Sequence, residues 1–243
     1  GLPSTGIVLR NTHVHEVRGE CVYIGGAEGT GGPSHAGLLI ERNLVHGCGS
    51  LGIRGHQWDA INVKDGIEGV EVVGNVLFDA HWGLEIGSPA DLHDNLVFDV
   101  ADDGIHLGDE WGDGHDGTAI RDIAVLGAGG QGVRVGADFA AADDVAIDGL
   151  VVIGAAGDDL RFAGEQGITG TARRLWLLGE TPVEGWGTVD VVFSECAVAG
   201  EAIGWVEACD VVDPEIPDLG APAGVDGVFF TADDPWRVGP LAP

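Results

Sequence analysis

Apolar and polar positions alternate along this chain in short bursts, and the bursts recur. Residues 70–87 read VEVVGNVLFDAHWGLEIG, residues 91–108 DLHDNLVFDVADDGIHLG and residues 119–136 AIRDIAVLGAGGQGVRVG. Each unit is an alternating strand, a small polar corner, a second short alternation, then glycine, apolar, any residue, apolar, glycine. Residues 8–25 and 40–55 follow the same scheme, and weaker copies stand at 146–164, after Ala172 and after Val189. Period two sends alternate side chains to opposite faces. Val70, Val72, Leu77, Leu84 and Ile86 therefore point inward, and Glu71, Val73, Phe78 and Glu85 outward. One unit has no second layer to bury its inner face. Stacked units do, because each strand pairs with its equivalent one coil on, about 4.8 Å away. The pattern predicts an all-β solenoid with Val72, Leu77, Leu84, Ile86, Val97, Ile105, Leu107, Val125, Val133 and Val135 in its core.

The corner positions are Thr12, Asn43, Asn75 and Asn95, then Ile123 and Leu150. Asparagine at a tight corner tolerates left-handed backbone angles and can bond to its neighbour in the next coil. With these repeats and corners the chain resembles a right-handed parallel β-helix of the pectate-lyase-like superfamily, over roughly residues 6–204. The resemblance implies about seven or eight coils. It implies no one activity, since that superfamily holds lyases, hydrolases, epimerases and adhesins.

Length and composition refine this. The 243 residues fit one solenoid domain over residues 1–209, and 43 glycines without a collagen triplet fit its turns. From Asp210 the chain turns rich in Pro, Asp and Gly, which predicts a loop-rich cap over residues 210–243. A formal charge of −29 excludes nucleic acid as a partner, because phosphate binding needs basic patches. No apolar run is long enough to insert in a membrane. The chain has no methionine, which reads as a piece of a longer, monomeric protein. Cys196 and Cys209 bracket a short loop and are expected to pair. Cys21 and Cys48 sit at different lateral positions of adjacent coils and are expected to be free.

The outward residue of each glycine-bounded strand forms a ladder, read coil by coil as Tyr23, Arg54, Glu85, His106, Arg134 and Arg161. All nine histidines lie between His13 and His115, and histidine is the side chain best suited to proton transfer near neutrality. Insertions at 25–36, 55–69 and 109–117 leave the coil at one corner. They are expected to roof the ladder with His35, His56, Trp58, Asp59, Trp111 and His115. Lys64, the one lysine, lies in DAINVKDG (residues 59–66), which resembles the strand carrying the base lysine of certain alginate and chondroitin lyases. Asp102 and Asp103 are similar to the paired aspartates of polygalacturonase-type hydrolases. Asp109, Glu110, Asp113 and Asp116 offer oxygen ligands of the kind that hold Ca2+. Trp58, Trp82 and Trp111 offer flat faces for sugar rings, with Tyr23 and Arg134 beside them.

These features point to a secreted, extracellular or cell-surface protein acting on an acidic polysaccharide. A lyase or epimerase needs a cation for the uronate carboxylate and a base for the C5 proton. Arg54 is the expected cation, and Lys64 or His106 the expected base. A glycoside hydrolase needs two carboxylates across the bond, for which Glu85 with Asp79, Asp103 or Asp109 would serve. The rival from another class is a non-catalytic carbohydrate-binding or adhesion module, which requires no convergent titratable groups.

Overall fold

The computed structural model describes residues 4–25, 35–49, 58–108, 114–136, 140–199 and 209–212. Within them the chain is all strand and turn. It runs β1 (Thr5–Arg10), β2 (His13–Val17), β3 (Val22–Ile24), β4 (His35–Glu41), β5 (Leu44–Cys48) and β6 (Ile61–Val63). It continues through β7 (Ile67–Val73), β8 (Val76–Phe78), β9 (Leu84–Ile86), β10 (Ala90–His93), β11 (Leu96–Val100) and β12 (Ile105–Leu107). The later strands are longer: β13 (Ala119–Ala128), β14 (Val133–Gly136), β15 (Ala142–Ile153), β16 (Asp158–Leu177), β17 (Thr181–Ala199) and β18 (Asp210–Val212).

Every pairing between strands is parallel, and the pairings sort into three faces of one curled sheet. β1, β4, β7, β10, β13 and β15 pair in turn on the first. β2, β5, β8, β11 and the second half of β13 make the next. β3, β6, β9, β12, β14 and the start of β16 make the third. Register is strict: Leu9, Ile40, Val72, Leu92, Ile120 and Ile147 form one inward row. All ten expected core residues are fully buried. The glycines before β9, β12 and β14, Gly83, Gly104 and Gly132, are required by close approach. A Cβ on Gly104 would lie 2.3 Å from a Val125 methyl and 2.6 Å from the Gly132 carbonyl oxygen.

The asparagine corner is a hydrogen-bonded ladder. The backbone N–H groups of Thr12, Asn43 and Asn75 donate to the side-chain oxygens of Asn43, Asn75 and Asn95 at 3.0, 2.9 and 3.0 Å. The Asn75 amide donates in return to the Ile40 carbonyl at 2.9 Å. The left-handed backbone belongs to the residue before each corner position Thr12, Asn43, Asn75 and Asn95, not to the corner residue: Asn11, Arg42, Gly74 and Asp94 have φ of 52°, 52°, 64° and 55°. Where Ile123 replaces asparagine, the polar ladder ends and β13 runs through the corner as one strand.

Two findings depart from the sequence reading. The outer side of the second face is also apolar, with Leu96, Ala124, Leu126, Val151 and Ile153 buried there as a second cluster. Cys21 is not free: it is bonded to Cys48, with Cα atoms 5.4 Å apart, alongside the expected Cys196–Cys209 bond. Flat strands would keep the two cysteines laterally offset. The corner at 18–20 turns the chain so that Cys21 opens β3 beside the inward Cys48 at the end of β5, as the bond from Gly49 N–H to the Gly19 carbonyl shows. Residues 213–243, most of the expected cap, lie outside the described residues.

Candidate functional site

The outward row of the third face reads Tyr23, Asn62, Glu85, His106, Arg134, Arg161 and Glu184. The expected ladder thus stands with one correction: Asn62, not Arg54, fills the second rung. The GIRG run matches the repeat in spelling, but β6 begins six residues after it. Arg54 lies outside the described residues, as do Trp111, Asp109, Glu110 and Asp113.

A local motif supports the ladder. Asp59, Asp103 and Asp158 each stand three residues before a ladder residue, and each reaches it. Asp59 Oδ2 is 3.3 Å from Asn62 Nδ2, Asp103 Oδ2 is 2.9 Å from His106 Nδ1 and Asp158 Oδ2 is 3.6 Å from Arg161 Nη1. The free oxygen of Asp103 accepts the Gln131 N–H at 2.9 Å, and that of Asp59 the Trp82 N–H at 3.3 Å. The carboxylate therefore ties the rung to the next coil. This acid-at-minus-three spacing was visible in the chain and is the signal that finds Asp59, Asn62 and Asp103 together.

Below His106 lies a buried acidic cluster. Glu20, Asp59 and Glu85 bring carboxylate oxygens within 4.8 Å of one another. The Asn62 amide nitrogen reaches all three, at 2.8 Å to Glu20 and in a short contact to Glu85. Lys64 Nζ is 3.1 Å from Glu85 Oε1, and both side chains are almost buried. Burial pushes Asp59 up to about 6, against the Trp82 N–H, with Glu20 adding to the rise. Burial likewise raises Glu85, opposed by Lys64 and reinforced by Asp59. Too few positive groups face these acids, so the cluster favours a held proton or a cation. It is capable of coordinating a metal ion. Among the described residues Asn62 Oδ1 is buried without a hydrogen-bond partner, so a reversed amide would add a fourth oxygen.

The aromatic residues serve differently from expectation. Trp82 lies between two imidazoles, with centroids 5.1 Å from His81 and 4.4 Å from His106, so its faces are already covered. Trp58 stacks on His81 at 5.3 Å. Tyr23 stays 46% exposed at the end of the row. Arg134, the rung after His106, makes no ion pair among the described residues, and its Nε is buried without a hydrogen-bond partner. Arg161, by contrast, faces Asp158 and Glu184.

Several expected partners are elsewhere. His35 opens β4 on the first face, where its Nδ1 accepts the Ser4 N–H at 3.1 Å. His115 is buried rather than part of an open rim. Asp116 turns one oxygen to the Asp143 N–H at 2.8 Å. Asp79 follows β8 on the second face, near His46, and Asp103 is held by His106 and the Gln131 N–H. Comparison with family models, with characterised proteins and with solved structures finds no match.

Proposed function

We propose that the third face acts on an acidic, uronate-bearing polysaccharide by removing the C5 proton, as a lyase or an epimerase. The scaffold would be a right-handed parallel β-helix of about seven or eight coils of the pectate-lyase-like kind, working outside the cell or at its surface. The observation that carries the reading is the Asp103–His106 pair with Arg134 on the next rung. Asp103 accepts from His106 Nδ1–H, which leaves the lone pair on Nε2 facing outward. Trp82 fixes the ring plane. A base so oriented, one strand spacing from a guanidinium without an ion pair among the described residues, is what C5 abstraction from a uronate requires.

Nε2 takes the C5 proton, and the electron pair passes into the carboxylate as an enolate whose charge Arg134 offsets. In elimination the pair then expels the C4 oxygen, and the imidazolium returns the proton to it. In epimerisation a solvent proton returns to C5 from the other side, and the imidazolium releases its own proton to solvent. Arg134 thus takes the role that the sequence reading placed on Arg54. Lys64 is held by Glu85 and keeps the acidic cluster neutral enough to sit below an anionic chain. Glu20, Asp59 and Glu85, with Asn62, would hold a hard cation such as Ca2+, which when bound supplies further positive charge toward a uronate.

Incubation with a panel of uronate polymers, followed by ultraviolet absorbance of unsaturated ends, tests the reading. Loss of at least about a hundredfold in turnover is expected for His106→Ala, on the scale of general-base catalysis. Arg134→Ala should also lose turnover, and both variants should melt like the parent. Full activity in both variants would place the chemistry elsewhere.

A further inference from the structure

The second face ends in a feature that the proposed site does not use. Its outward positions form two rows. One reads His15, His46, Phe78, Phe98, Leu126 and Ile153. The other begins with His13 and continues through Leu44, Val76 and Leu96. Both rows are apolar along the coil and both begin in histidine. Three imidazoles therefore gather on two adjacent strands, β2 and β5.

Their geometry is close. His13 Nε2 and His46 Nε2 are 2.8 Å apart. The His15 ring lies 4.4 Å from His13 and 5.7 Å from His46, centroid to centroid. Phe78 stacks on the other side of His46 at 4.5 Å, and Phe98 on Phe78 at 4.6 Å, so the His46 ring is braced from below. His13 and His15 are exposed, which leaves the site open to solvent. Two ring nitrogens facing each other have two explanations: one shared hydrogen, or one shared ion. The shared-ion reading uses more of what is present. Nitrogen donors on a tetrahedral zinc ion stand roughly 3.3 Å apart at bonds of about 2.0–2.1 Å, so slight ring rotation admits the ion. No acid lies within the pair itself; Glu16 and Asp79 stand beside it.

We infer that His13 and His46 form a surface site that supplies two imidazole ligands to a borderline divalent transition ion such as Zn2+ or Cu2+, with His15 beside it. The donor set separates it from the Glu20–Asp59–Glu85 cluster, whose oxygens suit hard cations. Bound there, the ion would tie β2 to β5 across the coil boundary that Cys21–Cys48 also bridges.

The test uses Cu2+ as probe, with electron paramagnetic resonance of the intact protein at one equivalent. Nitrogen hyperfine structure from two or three imidazoles is expected. His13→Ala should weaken Zn2+ binding, read by calorimetry, by at least about tenfold, given that even indirect partners of a metal cost that much. His46→Gln, which keeps a polar side chain against Phe78, serves as the second variant should His46→Ala fail to fold. His93→Ala and Glu85→Gln should leave Cu2+ binding unchanged. An all-oxygen copper spectrum would overturn the inference. So would Zn2+ binding that survives His13→Ala and His46→Gln, or that disappears with Glu85→Gln.

Discussion

Asp103 and Asp159 show how buried aspartates can do opposite work at the corner that leads into the third face. Asp103 spends both oxygens, one on His106 and one on the Gln131 N–H, and so orients the imidazole. Asp159 gives one oxygen to the Gly179 N–H at 2.6 Å and buries the other without a partner. It stands where the earlier coils have Gly83, Gly104 and Gly132. Burial pushes it up to about 7, with Asp158 adding to the rise. The folded chain therefore keeps a proton that the unfolded chain releases near 4. Stability is fully present below about pH 4 and declines toward about pH 7, by at most about 4 kcal/mol at 1.36 kcal/mol per unit. Asp59, raised to about 6, acts in the same sense over a narrower window. Asp159→Asn can still accept from Gly179 and no longer ionises. It should raise stability above pH 7 by roughly 1–3 kcal/mol and flatten the pH profile of urea unfolding. Lower stability than the parent at pH 8 would show that the carboxylate is compensated. At this scale the ladder residues Tyr23, Glu85, His106, Arg134 and Arg161 were legible because period two fixes their direction. Asn62 was not placed on the ladder, because an insertion of unlike length precedes β6 and a nearby GIRG copies the repeat.

Elements hold together through their corners as much as through their faces. Asn75 donates to the Ile40 and Val73 carbonyls and to Asn95, and accepts from both the backbone and the side chain of Asn43. Asn75→Ala leaves several of these groups buried and unpaired. At about 1–3 kcal/mol for each such group, with relaxation sharing the loss, it should cost about 3 kcal/mol or more in denaturant unfolding. A cost below about 1 kcal/mol would mean that water or a shifted corner satisfies them. The apolar corner at Ile123 and Leu150 shows that the coil also closes without asparagine, so the expectation is loss of stability, not loss of fold. The Cys21–Cys48 bond spans 27 residues. Peptide mapping without reduction should recover that pair, and Cys48→Ser should cost about 2–4 kcal/mol. Recovery of both as free thiols would contradict the structure. Inward and outward assignments were readable here from alternation alone. The disulfide was not, since corners of irregular length decide which inward positions meet. The second apolar cluster escaped as well, because alternation assigns one inward core and sends Phe78 of that face outward.

Across the whole molecule, charge and aromatic placement divide the faces by task. The second face is apolar and ends in imidazoles, while the third concentrates Lys64, Glu85, His106, Arg134 and Arg161 in a chain of net charge −29. An anionic polymer approaching such a surface needs local cations, and the third-face row supplies an arginine free of ion pairs among the described residues directly beside the oriented histidine. The most direct test is proton exchange at the carbon itself. Uronate oligomers would be incubated with the protein in heavy water and followed by proton NMR. The account expects loss of the C5 proton signal, with either an unsaturated end or a deuterated epimer as product. It expects neither from His106→Gln, whose side chain fits the same rung but cannot act as a base. C5 exchange that persists undiminished in His106→Gln, or cleavage by the parent with C5 untouched, would contradict the assignment of the third face as a proton-abstracting site.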